Sequence, residues 1–236
     1  VIIHKVEQGS EEWHQLRLGI PTASCFDKII TAEKLALSKS SAPYMHTLLA
    51  EWISGAPLET FEGGWMKRGK DLEAEAISAY EFLTGQDATL IGFATTDDGM
   101  AGASPDRLIG DDGTLEQKCP ALQTHVGYML APESLCDEYR MQLQGQLWVT
   151  GRAWADIHSF FPGLPSVVCR AYRREATQKA MDLHIPAFVE TMLRCREQLT
   201  QTYGELRRER VTAAQRVEAS RAAFDEFMES PIGGNV

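Results

Sequence analysis

The feature that most restricts what this chain can fold into is a change of rhythm at Gly85. Before it, over residues 65–84, Leu72, Ala76, Ile77, Tyr80 and Leu83 recur at helical spacing and define one buried stripe, with Glu73 at its inner edge. After it come three strand-like stretches, 88–95, 100–108 and 114–119. Asp98-Gly99 and Asp112-Gly113, both hairpin-turn dipeptides, separate them. A chain that passes from helix into consecutive hairpins and back into helix has to pack a small sheet against helices.

The flanking segments agree. Ser10-Glu11-Glu12 opens a short helix carrying Trp13, Leu16 and Arg17 that stops near Gly19, and a second begins near Thr22. Residues 41–54 read as a helix ended by Gly55. Beyond Pro120 the pattern predicts helices at 122–130 and 136–149, strands at 153–161 and 166–172, and a long helix at 174–202. The fold class is α/β (α+β), with a small, mixed central sheet flanked by helices. Residues 1–204 form the main domain and 205–236 a charged, helical C-terminal extension.

Composition removes some classes. With 236 residues the chain has ample length for a core. No apolar run approaches the roughly 18 residues of a membrane helix, so no membrane partner is expected. No charged segment precedes a long apolar one at the start, and the five cysteines form no C-x-x-C pair. These features predict reduced thiols, no zinc site and a cytoplasmic location. The net charge of −10 has the wrong sign, on average, for nucleic-acid binding. Local basic clusters, Lys67-Arg68 with Lys70 and Arg170 with Arg173-Arg174, can still supply such a surface, or be solvated charge on helix faces.

The stretch with chemical content is "SPDRLIGDDGTLEQKCP", Ser104 to Pro120. If its turn centres on Asp111 and Asp112, Asp106 lies opposite Glu116 or Gln117. Side chains alternate along a strand, so Glu116 and Lys118 share a face that Asp106 can join. Two carboxylates this close repel unless protonated or metal-bound. Their oxygens suit Mg²⁺ or Mn²⁺, which can activate water and neutralise charge on a phosphoryl group. The plain structural alternative is a surface hairpin bearing an Asp-Glu-Lys salt bridge.

Asp-x9-Glu-x-Lys, preceded by Pro, resembles the signature of the PD-(D/E)xK nuclease superfamily. "VEQGSEEWHQLRLGIPTAS", "HTLLAE", "GASPDRL", "LEQKCP" and "QLQGQLWVT" occur in the order found in the bacteriophage lambda exonuclease family, the YqaJ-type viral recombinases. The resemblance covers about residues 6–200. It implies a restriction-endonuclease-like core and an Mg²⁺-dependent deoxyribonuclease, with two ions and Mn²⁺ as a substitute. Asp106, Glu116, the Gln117 backbone carbonyl and Glu73 would hold metal. Lys118 would be the catalytic lysine, and Gln142 would help position the water or the lysine. Arg17, Thr22, Ser24 and Ser104 would bind a 5′-phosphate. Trp65 and Met66 would be the strand-separating wedge, although Lys67-Arg68 depart from the family pattern beside them.

The implied activity is 5′-to-3′ removal of mononucleotides from the 5′-ended strand of linear double-stranded DNA. It would leave 3′ single-stranded overhangs for phage-type recombination in a bacterial host. The implied partners are DNA ends with a 5′-phosphate, two further copies in a ring-shaped homotrimer, and a single-strand annealing protein. The alternatives are a PD-(D/E)xK endonuclease of restriction or repair type and a catalytically silent DNA-end-binding protein.

Overall fold

The structure, a computed structural model, describes residues 1–58 and 64–206, with the backbone alone over 64–70. Strand β1 (Ile2–His4) opens the chain. Ser10 caps helix α1 (Glu11–Arg17) by accepting from the Trp13 N–H, and Glu11 and Glu12 occupy its first turn, where the helix dipole favours acids. The helix expected near Thr22 is a short 3-10 helix, Ala23–Lys28, whose Phe26 is fully buried. Helix α2 (Ser41–Ser54) ends at Gly55 in the left-handed conformation. Helix α3 spans Gly64–Thr84. Ala76 and Tyr80 are buried as the stripe predicts, but Leu83 is exposed, because the apolar cluster under α3 ends at Tyr80.

Two of the three expected strands are broken. The stretch 88–95 divides into β2 (Ala88–Leu90) and β3 (Phe93–Thr95), which belong to different sheets. Gly92 marks the crossing, where a Cβ would overlap the backbone of Val6. The stretch 100–108 divides into β4 (Gly102–Ala103) and β5 (Arg107–Ile109). Between them Pro105 has no N–H to offer a ladder. Strand β6 (Gly113–Lys118) is continuous.

Helices α4 (Leu122–Leu130), α5 (Pro132–Glu138) and α6 (Arg140–Thr150) follow. The expected helix at 136–149 is therefore the end of α5 and most of α6, separated at Tyr139, whose ψ of 15° leaves the helical range. Strands β7 (Trp154–Ser159) and β8 (Val167–Tyr172) and helix α7 (Glu175–Tyr203) complete the described chain. Apart from Glu205 and Leu206, which are not helical, the expected extension lies outside the described residues.

One mixed sheet has the order β2-β5-β6-β7-β8, parallel only between β6 and β7, and β1-β3-β4 forms a second, antiparallel sheet. Two small sheets thus replace the single expected one. Strand β6 is central, so Thr114 and Leu115 are fully buried. Helix α6 crosses the middle of the molecule, with eight of its eleven residues buried. Its Gly145 lets the 3-10 helix approach, since a Cβ there would press on Phe26 and Ala23.

The expectation of five reduced thiols is corrected at one pair. Cys136 of α5 and Cys169 of β8 form a disulfide, with Cα atoms 5.9 Å apart. They are 33 residues apart in sequence, and only the packing of α5 on β8 brings them together. Among the described residues no helix is long and apolar enough to cross a membrane.

Candidate active site

The hairpin register places Arg107 opposite Leu115 and Ile109 opposite Gly113. One step further puts Asp106 beside Glu116, just past the end of β5. There the main-chain N–H of Gln117, left without a ladder partner, donates to Asp106 Oδ2 at 2.5 Å. In a strand the N–H and C=O of one residue point to the same side. The Gln117 carbonyl is therefore directed to the Asp106 edge too. Its side chain lies on the other face, 3.4 Å from His158 Nδ1. Glu116 and Lys118 share a face, and Lys118 Nζ donates to Glu116 Oε1 at 2.7 Å.

Helix α6 supplies the opposite wall. Gln142 Nε2 donates to Glu116 Oε1 at 2.7 Å, and Gln146 Nε2 donates to Glu116 Oε2 at 2.6 Å. Gln144 points elsewhere, bonding to the Tyr172 carbonyl, the Arg174 N–H and Gln178. The three glutamines thus divide into two on the carboxylate and one in the core. Tyr139, at the break before α6, places its ring 4.7 Å from Lys118 Nζ.

The electrostatics are those of an acid pair under strain. Burial, then the nearby Glu116 charge, push the Asp106 carboxyl well above its ordinary range, while the Gln117 N–H and Lys118 pull the other way. Burial also presses Lys118 down, but attraction to Glu116, their hydrogen bond and Asp106 more than offset it, so the ammonium is retained. Two carboxylates and a main-chain carbonyl are hard oxygen donors. They fit Mg²⁺, which takes one or two carboxylates and leaves its other positions to water or phosphate. Among the described residues no group of three or more His, Cys, Asp or Glu gathers for a metal. Glu73 is close enough to bear on Asp106, yet its carboxylate pairs with Arg107 at 2.8 Å and stays half-exposed. To serve as a ligand it would have to leave that arginine.

The residues expected to bind phosphate come from a different part of the chain and meet Glu116 and Lys118 in one place. Arg17 Nη1 donates to Ser104 Oγ at 3.1 Å, as does Trp13 Nε1 at 3.0 Å. The guanidinium stacks 4.1 Å over the Trp13 ring. Burial lowers its pKa, but from a value so high that it stays charged. Thr22 and Ser24 face each other through their hydroxyls at 3.3 Å. Arg17, Thr22, Ser24 and Ser104 line the same cavity, of about 250 Å³, as Glu116, Lys118, Gln142 and Gln146.

Several contributors were not singled out from sequence. Gln8 lines the cavity and donates to the Ile91 and Pro105 carbonyls, tying the Pro105-Asp106 turn to the first loop. Neither Gln8 nor Tyr139 carries a spacing signal. Gln146 does: it is one helical turn from Gln142 and so shares its face. Not all predicted residues converge. The side chains of Trp65 and Met66, and of Lys67, Arg68 and Lys70, lie outside the described residues. In the second basic cluster Arg170 pairs with Asp156 and Arg173 donates to the Leu147 carbonyl, while Arg173 and Arg174 stay exposed.

Comparison with known proteins adds to this geometry. The sequence profile of the YqaJ-like viral recombinase domain matches residues 12–153. The crystal structure of an alkaline exonuclease, LHK-Exo, from Laribacter hongkongensis is similar with a TM-score of 0.74 and 31% identity, covering 84% of this chain and 100% of that one. The same values hold for LHK-Exo in complex with dAMP. A phage-related exonuclease from Haemophilus somnus shares the fold, with a TM-score of 0.62 at 14% identity over 76% of this chain and 96% of that one. No curated protein sequence matches.

Proposed function

The chain belongs to the YqaJ-like viral recombinase domain family, and from that premise we propose that it is an Mg²⁺-dependent exonuclease of linear double-stranded DNA. Its relationship to an alkaline exonuclease places it among the nucleases. In our reading it removes mononucleotides from the 5′-ended strand, 5′ to 3′, and leaves a 3′ single-stranded overhang. The observation that carries this is the shared cavity: the buried Glu116, which neighbours Asp106 across the β5–β6 register, opens with Lys118 onto the same space as the Arg17–Ser104 cluster. An enzyme that cuts within a duplex has no terminal phosphate to hold there.

Each residue then has a task. Asp106, Glu116 and the Gln117 carbonyl hold the metal, and Glu73 joins them if it leaves Arg107. A bound divalent ion supplies an activated water and Lewis acidity toward the phosphorus. Lys118, charged and held at 2.7 Å from Glu116, offsets negative charge as it grows on the phosphate. Gln142 donates to Glu116 Oε1, the oxygen that also accepts from Lys118, and so helps position the lysine. Arg17 presents a planar donor pair to the terminal phosphate, and the hydroxyls of Thr22, Ser24 and Ser104 add further donors. The dAMP bound by the related alkaline exonuclease supports a product site of mononucleotide size.

The remaining elements of the reading are a ring-shaped homotrimer and transfer of the 3′ tail to a single-strand annealing protein. A ring reconciles a net charge of −10 with DNA, because basic residues can face the hole while acids face out.

The test compares a linear duplex carrying 5′-phosphates with a closed circle of the same sequence, in Mg²⁺. Loss of the linear DNA alone, with mononucleotide product and 3′ tails, all abolished by Lys118→Ala, is the expected result. Cleavage of the circle would make the protein an endonuclease. Binding of ends without cleavage would leave only an end-binding protein.

A further inference from the structure

We propose that Gln146 is a positioning residue for the metal-binding carboxylate, holding the one oxygen of Glu116 that still has a lone pair to give. The inference rests on the reading of Glu116 as a metal ligand. A carboxylate offers about four lone-pair sites, two on each oxygen. On Oε1 both are taken, one by Lys118 Nζ and one by Gln142 Nε2, each at 2.7 Å. On Oε2 one is taken, by Gln146 Nε2 at 2.6 Å. The site left for a cation is therefore on Oε2, and the direction of that lone pair is set by Gln146. Gln142 and Lys118 act on the other oxygen.

The placement of Gln146 is hard to explain by packing. It is 1% exposed, on a helix whose Leu143, Gly145 and Leu147 are all buried. Its side-chain carbonyl is buried without a hydrogen-bond partner among the described residues. The amide orientation follows from chemistry, since reversing it would set a carbonyl oxygen against a carboxylate oxygen. An apolar side chain of similar size would bury the same surface with no orphaned polar atom. What it would lack is the donor to Oε2.

The test measures Mn²⁺ binding to the full chain by calorimetry without DNA, for wild type, Gln146→Leu and Gln142→Leu. Thermal unfolding of the metal-free proteins is measured alongside. The expected result is a dissociation constant raised tenfold or more by Gln146→Leu and less than threefold by Gln142→Leu. The metal-free midpoints of the two leucine variants should fall alike, since each removes one hydrogen bond from the buried Glu116, so that a loss of stability does not account for the difference in Mn²⁺ binding. Should the leucine variant not fold, Gln146→Met serves in its place, with the same expectation. Unchanged Mn²⁺ binding in the Gln146 variant, or an equal or greater loss in the Gln142 variant, would overturn the assignment while leaving Glu116 as a ligand. A wild-type protein that binds no divalent ion would remove Glu116 as a ligand, and the role of Gln146 with it.

Discussion

The main-chain N–H of Gln117 donates to the Asp106 carboxylate across the open end of the β5–β6 ladder. The carboxylate proposed to hold metal is thus held by the backbone of the neighbouring strand, at the first register position that Pro105 and the end of β5 leave free. Its place depends on the fold of β6 rather than on another side chain. Its charge is opposed by burial and by Glu116.

Asp106→Asn keeps an oxygen for the Gln117 N–H and removes the opposed charge. Cleavage should fall about a thousandfold or more, because the proposed metal ligand is lost. The metal-free protein should gain about 1–2 kcal/mol of stability. Nuclease assay and chemical denaturation check the two halves. A loss of stability would show that the acid pair is not strained.

Arg17→Gln should act on ends, not on the chemistry. On duplexes with a 5′-phosphate, kcat/KM is expected to drop about 10- to 100-fold, a loss of about 1.5–3 kcal/mol of charge-assisted binding. On duplexes with a 5′-hydroxyl it should change little. An equal drop on both substrates would place Arg17 outside phosphate recognition.

His158 predicts how the protein meets acid. It is fully buried, its Nε2 has no partner among the described residues, and burial, followed by the nearby His125, holds its pKa down to about 4. The folded state therefore binds fewer protons than the unfolded state between about 4 and the ordinary histidine value near 6.5. Stability is full above that window and falls as pH drops through it, by on the order of 3 kcal/mol in total. His158→Phe should flatten this part of the profile, measured as denaturation midpoints from pH 7 to pH 4. A profile identical to wild type would assign the acid limb to other groups.

Asp156 is 1% exposed and accepts two hydrogen bonds from Arg170, at 2.7 and 2.8 Å, and a third from Tyr80. The Arg170 guanidinium also lies 3.6 Å from the Trp154 ring centre. Arg170→Met leaves a buried carboxylate without its cation and should cost about 3–5 kcal/mol. Adding Asp156→Asn should restore most of it. A single-variant loss below 1 kcal/mol would mean the pair is solvated.

Much of this was readable before any coordinates. The Asp98-Gly99 and Asp112-Gly113 turns marked both hairpins, and strand alternation placed Glu116 and Lys118 on one face, because these signals are local. The breaks at Gly92 and at Pro105 were missed because each depends on a partner strand distant in sequence. The Cys136–Cys169 bond was missed for the same reason. Gln142 came from resemblance, while Gln146 needed only the helical period. Glu73 was placed at the edge of its helix stripe correctly in phase, but its pairing with Arg107 depends on how α3 meets β5, which no periodicity reports.

On the proposed reading, the cavity of about 250 Å³ shared by Arg17 and Glu116 would also act as a ruler. If the terminal phosphate is gripped at Arg17 while hydrolysis occurs at the acids, the separation between the two anchors decides which bond is broken. Step length then becomes a property of protein geometry, indifferent to base identity. Moving either anchor by the span of one nucleotide would change the size of the product rather than the speed of its release.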